Sequence, residues 1–493
     1  MSEHDALVVG GGPAGAAAFQ LLRQRGLDVC WVPGPRRAHD SLTLSLPPSC
    51  ASLFHRAGLG AVWERTDWHP TTGNAVHWAG VTRGEPFAAG TSGRICEAGP
   101  LEDALREAAG TAPGRIQPGR ALRIESEGER MAVRIEGCSE PLRTHWVLDC
   151  TGRSGLAVRS GLAKRESGPS TLAVSARWHS EGAWGPGAGG ADTVIESQQD
   201  GWAWSVPLAP DVRDVSVMLD PRHTPRDAGS LQTLYRARLA AAPRLCELLG
   251  KAVQESAAWA CDATTYWTDP VARSGLLLVG DAASALDPLT SYGVKKALAS
   301  AWLAAAVVET CLADDAMTGA ALDLYAERER AIPEHLGSAA AAFAADAART
   351  HAQPFWRVRA DTDRPPWAEL DPDVEALRSD PAVLAAFEEI RGVPTARFAV
   401  ATLQTVRRPT VVGTRIAWED RLVTRRWPRG LRHLRGVDLL ELAKLAPQHP
   451  GVPDLYERYC RTSEPVILPD FTGALSVLVA EGVLSLCPTG PGC

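Results

Sequence analysis

The chain has 493 residues, 45% of them hydrophobic, and a formal net charge of −7. This length supports a sizeable core and two or more domains, and the acidic balance gives no reason to expect global attraction to nucleic acid or an anionic membrane. Eleven cysteines, scattered and without a C-x-x-C pair, argue against a disulfide frame or zinc site and for reduced, mostly buried thiols in a cytoplasmic protein.

The first strand is expected within a few residues, so no signal peptide is expected. No apolar stretch is expected to approach the roughly 20 residues of a membrane helix. In LVVGGGPAGAAAF (residues 7–19) an apolar run enters Gly10-x-Gly12-x-x-Gly15, and a small-residue helix leaves through Pro13 and Ala14. In a dinucleotide fold the first glycine makes the tight turn, the second admits a pyrophosphate and the third lets helix pack on strand. The helix start adds free N–H groups and a positive dipole end. Glycine turns also occur as plain punctuation, and either NAD or FAD fits this one, so the remaining parts of the site must come from downstream.

The next strand, LDVCWVPGP, ends in Pro33 where such folds normally carry an acid for the ribose hydroxyls. Arg36 or Arg37 is the expected substitute, and Arg94 joins the candidate cofactor contacts. WVLDCTGRSG (146–155) reads as an apolar strand ending in Asp149, then a turn through Gly152. GPGAGG (185–190) has no preceding apolar strand and reads as a loop, so no separate nicotinamide domain is expected. In GWAWSVP (201–207), Trp202 and Trp204 alternate on a strand and share a face. They either wall a ligand space or pack a sheet.

GLLLVGDAASALDPLTSYGVKKAL (275–298) is the most informative stretch. A buried strand runs into Gly280-Asp281, with Asp281 placed to accept from ribityl hydroxyls. A loop with Pro288 and Ser291 leads to a helix starting near Gly293 and Val294, whose amides suit the anionic pyrimidine edge of a reduced flavin. Lys295 and Lys296 fall in its first turn, where the dipole disfavours cations. They read as a solvated pair, the functional alternative being a contact to reduced flavin or an anionic substrate group.

These three pieces, in this order and spacing, resemble the glutathione-reductase-type FAD monooxygenases with a p-hydroxybenzoate-hydroxylase-like fold, over about the first 350 residues. Within that group SLPPSCASLFHRAGL (45–59), GWAWSVP and DPLTSYGV (287–294) resemble the branch of tryptophan halogenases and their non-halogenating relatives. The resemblance implies FAD, O₂ and a C4a-hydroperoxyflavin, with electrons from NAD(P)H or a reductase. Halogenases carry a halogen-transfer lysine after the SLPP helix, yet no lysine lies between Leu59 and Arg94. Tyr292 also stands for the usual threonine of the chloride loop. Hydroxylation of an aromatic ring is therefore the expected reaction. Trp202, Trp204, His77 and Tyr292 are its pocket candidates, and His77 or Asn74 is a candidate for proton movement. Sixteen tryptophans fit an aromatic ligand.

From about residue 361 the texture changes: a proline-rich break precedes short amphipathic helices and an arginine cluster, Arg421 to Arg435, without an intervening acid. A solvated arginine face is expected there, with an acidic polypeptide as the alternative and nucleic acid disfavoured. A helix follows Pro469-Asp470. The FAD motifs, the SLPP helix, GWAWSVP and the presence of an added C-terminal domain together resemble the LodB-like flavoprotein maturases, which hydroxylate a tryptophan of a target polypeptide during tryptophylquinone biogenesis.

The expectation is an α/β fold with a Rossmann FAD-binding domain, an interleaved β-sheet substrate domain and a small, mainly helical C-terminal domain. The FAD core covers 1–360, with FAD segments near 1–60, 94–160 and 270–350 and substrate-sheet segments near 61–93 and 161–269. Residues 361–493 form the partner domain. The expected function is FAD-dependent hydroxylation of a peptidyl tryptophan, with no metal and no membrane partner. The alternatives are a halogenase using Lys295 or Lys296, a small-molecule aromatic hydroxylase, a polyprenyl reductase, or a binding protein with a vestigial flavin site.

Overall fold

The computed structural model describes residues 4–35, 42–110, 115–182, 184, 192–223, 228–360, 374–393, 395 and 397–487. Arg36, Arg37 and Gly185 to Gly190 therefore lie outside the described residues.

The chain opens with β1 (His4–Val9), α1 (Pro13–Gln24) and β2 (Val29–Val32). Ala6 to Val9 and all of β2 are buried, as expected of parallel strands covered on both faces. Helix α2 (Ala98–Gly110), β3 (Leu142–Asp149) and β4 (Leu276–Leu278) complete the layer that matters for the site. The sheet runs β4-β3-β1-β2 with all neighbours parallel, Val9 standing opposite both Val32 and Asp149. An antiparallel meander, Ala121–Glu127 and Arg130–Ile135, hangs from β3. The buried small residues Ala14 to Ala18 let α1 lie close to the sheet while Phe19 stacks on Trp31 at 5.2 Å, adding about 0.5–1.5 kcal/mol beyond area burial.

Helices α3 (Gly293–Ala313) and α4 (Thr318–Thr350) cover this layer, α3 packing on both α1 and α4. Contrary to expectation, α3 is long and apolar enough to cross a membrane by length and composition, with 21 residues. Its most apolar stretch is 78% buried inside the fold, because it is the core helix that α1 needs opposite its alanine face. The alanine-rich run 334–350 forms the second half of α4.

A second sheet interleaves with the first. Its order is Val253–Gln254, Leu172–His179, Val212–Leu219, Gly201–Ala209, Thr193–Gln198, Gly73–Trp78, Val81–Pro86. Gly73–Trp78 pairs in parallel with Thr193–Gln198, which joins segments more than a hundred residues apart. One face buries Tyr235, Leu239, Leu245 and Leu249 from two helices. The other turns Val76, Trp78, Ile195 and Trp202 toward Ala344, Phe355 and Trp356.

The chain divides into two compact units, Met1–Trp367 with Gly413–Arg415, and Ala368–Val412 with Ile416–Cys493. The second unit has its own core, including Leu422, Leu439, Tyr459, Phe471 and Leu475. Besides the expected helices, among them Leu468–Ala480, it carries a two-stranded sheet, Gln404–Val412 with Arg415–Val423, that the residue pattern did not announce. The arginine cluster is not a bare basic face. Arg426 pairs with Asp380 and Glu481, Arg432 with Asp438, and Arg435 with Asp470. Of the ten cysteines described, Cys30, Cys50, Cys96, Cys150 and Cys311 are buried.

Candidate active site and cofactor cleft

At the C-terminal ends of β1, β2 and β3 the three distant motifs meet. Gly10 has φ +122°, and a Cβ there would overlap the Cys150 carbonyl. Gly15 is equally constrained, since a Cβ would overlap the carbonyl oxygen of Gly10. That oxygen accepts from Trp31 Nε1 at 2.8 Å, so the turn is tied to β2. Cys150 N–H donates to Val9 at 2.8 Å and Val279 N–H to Asp149 at 2.9 Å, stitching the loops together. Asp149 accepts from Thr151 Oγ1 at 2.6 Å and Ala157 N–H at 2.7 Å. These bonds shape the turn through Gly152 while burial pushes the carboxyl up. Gly280, at φ +64°, faces the Ala14 methyl, where an added Cβ would sit 3.1 Å away. Small residues are needed at both positions.

The resulting cleft has a volume of about 450 Å³ and is lined by Gly10, Gly11, Gly12, Thr151 and the arginines Arg106, Arg120, Arg153 and Arg159. The Pro33 problem has its answer on α2. Glu102 and Arg106, one turn apart, both reach the cleft. Arg106 donates to Gly34 at 3.1 Å and Pro33 at 3.4 Å, and Glu102 lies 3.6 Å from where a Gly12 Cβ would stand. Arg106 Nε is buried with no partner among the described residues. A glycine cradle, a helix N-terminus, four arginines and an unspent buried donor fit a dinucleotide diphosphate. Glu102 and Arg106 were missed from the sequence. The available signal was their i, i+4 spacing on a helix shortly after Arg94. Arg94 itself donates to Ser92 at 2.7 Å, and its guanidinium stands 5.4 Å over the Trp63 ring.

Beyond β4, Asp281 sits in a single helical turn, Gly280–Ala282, and its carbonyl accepts from Tyr266 at 2.6 Å. Pro288–Thr290 forms another such turn, capped by Asp287 accepting from Leu289 N–H at 3.0 Å. Ser291 is left-handed (φ 51°), and α3 starts at Gly293 and Val294 with nothing within 4 Å of a Gly293 Cβ. The lysine pair is not uniformly solvated. Lys295 stands over the Tyr292 ring at 4.5 Å, but Lys296 is 2% exposed, because its side chain turns inward under Gly280.

Beyond the loop lie two adjoining cavities. One, of about 320 Å³, is bordered by Ser45, Pro47, Asn74, Ser291, Tyr292 and Phe343, among others. The other, of about 100 Å³, includes Trp78, Trp202, Tyr266, Trp267 and Trp356 in its wall, with Asp287 and Arg359. Trp202 and Trp204 do share a face, meeting edge to face at 6.0 Å, but only Trp202 borders a cavity. His77 does not. Strand alternation sends Asn74, Val76 and Trp78 into the cavities and His77 to the opposite face, where Nδ1 lies 3.0 Å from Thr82 Oγ1. Burial pushes its imidazole pKa down, with Arg244 next in effect. Trp356, missed from the sequence, donates from Nε1 to Gln198 at 2.8 Å and meets Trp78 edge to face at 5.3 Å. Trp356→Ala is expected to lower unfolding free energy by about 3–5 kcal/mol in urea melts, with Trp356→Phe losing far less.

Fold and cleft together define a FAD-binding flavoprotein with the architecture of flavin-dependent oxidoreductases. The chain belongs to the FAD binding domain family, which matches residues 3–340. Tryptophan 2-halogenase of Chondromyces crocatus is 27% identical over 348 residues, covering 65% of this chain and 63% of that protein. The chain thus spans less than two thirds of that relative's length. Two solved structures share the fold over nearly the whole chain. Peptidyl tryptophan dihydroxylase QhpG, essential for tryptophylquinone cofactor biogenesis, is 22% identical with a TM-score of 0.68, covering 98% of this chain and 100% of its own. The flavin-dependent halogenase CmlS is 21% identical with a TM-score of 0.72, covering 99% and 96%.

Proposed function

We propose that this protein is a FAD-dependent monooxygenase that hydroxylates an aromatic ring, the substrate being a tryptophan within a target polypeptide that matures into a quinone cofactor. Bound FAD, reduced by NAD(P)H or a reductase, supplies with O₂ an electrophilic oxygen to an electron-rich ring. The chain's own part is to hold FAD through the cleft, to seat the ring among Trp78, Trp202, Tyr266 and Trp356, and to exclude water there.

The observation that carries the choice of hydroxylation is the lysine count. The chain has five lysines, at 164, 251, 295, 296 and 444, and none lines either cavity. Capture of a halogen from flavin for delivery to a ring needs an amine there. Halogenation is the second reading, favoured by the names of the relatives. What supports a polypeptide substrate is the likeness to QhpG across both units.

The test is mass spectrometry of candidate polypeptides incubated with the holoenzyme, reductant and O₂, with and without bromide or chloride. A halide-independent gain of one or two oxygens on a tryptophan is the expected result. A halogenated product overturns the proposal, and oxygen gain only on free indoles or phenols moves it to a small-molecule substrate.

A further inference from the structure

Lys296 occupies a costly place. It stands in the first turn of α3, where the helix dipole opposes a cation, and it is almost fully buried. Its Nζ donates to the carbonyl of Gly280 at 2.9 Å and to that of Ser284. It borders none of the three cavities described above. The same glycine is gripped from its other side. Gly280 N–H donates to Ser300 Oγ at 3.0 Å, Ser300 and Tyr325 hydroxyls share a hydrogen bond at 3.1 Å, and Tyr325 donates to Leu278 at 2.8 Å.

Glu329, one turn beyond Tyr325 on α4, is 2% exposed, and its Oε2 has no hydrogen-bond partner among the described residues. It is the leading opposite charge felt by Lys296, with Asp281 second. Burial pushes the ammonium pKa down and the Glu329 carboxyl up, and each partner opposes the shift of the other. A buried ion costs several kcal/mol even after relaxation. A fold that needed only to fasten Gly280 to Ser284 has cheaper neutral donors. The charge is set directly behind the two elements expected to hold the flavin, the Gly280-Asp281 turn and the head of α3.

We propose that Lys296 is a positioning residue for the cofactor: it locks the Asp281 turn to the start of α3, and its positive charge, balanced by Glu329, favours the anionic reduced flavin over the oxidised form. The inference rests on FAD binding alone and not on the reaction performed. General electrostatics gives the sign. A cation near a site that gains negative charge on reduction stabilises the reduced state, and its counter-ion moderates the effect.

The test uses the FAD-loaded full chain without substrate, reading the two-electron midpoint potential by equilibration with a reference dye and oxidised-FAD affinity by fluorescence. Lys296→Met, which keeps the length and removes the charge, is expected to lose about tenfold of the preference for reduced over oxidised flavin, a fall of about 30 mV. Glu329→Gln is expected to shift the potential in the opposite direction. A purely structural tie would change FAD affinity in both variants and leave the potential where it was. Unchanged potentials, or shifts of the same sign in both, overturn the proposal. If Lys296→Met does not fold, the sign of the Glu329→Gln shift decides alone: upward supports the assignment, and no change or a fall refutes it.

Discussion

Gly15→Ala is expected to purify colourless. The new methyl would overlap the Gly10 carbonyl oxygen, and that oxygen cannot retreat freely because it already accepts from Trp31 Nε1. Gly10 is itself pinned, with φ +122° and no room for a Cβ before Cys150. Either α1 shifts away from the sheet or the glycine turn opens, and both displace the amides that face a diphosphate. Overpacking of this kind costs about 1–3 kcal/mol of stability, occasionally more. Lost from binding, the same 1–3 kcal/mol would lower FAD affinity by about five- to a hundredfold, since each 1.4 kcal/mol is tenfold. Fluorescence titration with FAD and a urea melt check both. Gly319→Ala, where nothing lies within 4 Å of an added Cβ, should leave binding unchanged. Full FAD retention by Gly15→Ala would contradict the geometry of the cleft.

The second large effect is expected at Arg106. Removing its side chain takes away the hydrogen bonds to Pro33 and Gly34 and a cation from the wall of the cleft. Hydrogen bonds to charged groups contribute about 1.5–3 kcal/mol, so Arg106→Ala should weaken FAD about ten- to hundredfold. Arg106→Lys should fall between, because a point charge cannot span both carbonyls as a planar fork does. FAD affinity of the variant should fall with ionic strength less steeply than that of the native protein, one screened charge having gone. Titration of ADP gives the same ranking if the defect lies at the adenylate end. An ADP affinity unaffected by Arg106→Ala would mean that the nucleotide is held elsewhere.

Each motif that the chain announces locally is one whose chemistry is local. The strand-turn-helix around Gly10, Gly12 and Gly15 is read from neighbours within a few residues, since backbone torsions and strand burial impose it there. The same holds for Asp281 after β4, for the helix start at Gly293, and for Trp202 and Trp204 sharing a face, because a strand repeats every two residues. The order of these pieces also pointed to FAD, which the family match over residues 3–340 shows.

What the chain could not announce depends on partners far away in sequence. Glu102 and Arg106 serve the cleft only because α2 packs beside the Pro33-Gly34 corner, about seventy residues earlier. His77 was placed in the pocket by proximity, but the pairing of its strand with Thr193–Gln198 decides which parity faces inward. The arginine run looked basic until acids 46 and 55 residues from Arg426 folded against it. Lys296 looked solvated because a helix start says nothing of what lies beneath it, and Glu329 and Gly280 supply that from other elements. Torsional preference and alternation act over one or two turns and can be read residue by residue. Burial and charge compensation are properties of the assembled layers, and they exist only once distant segments have come together.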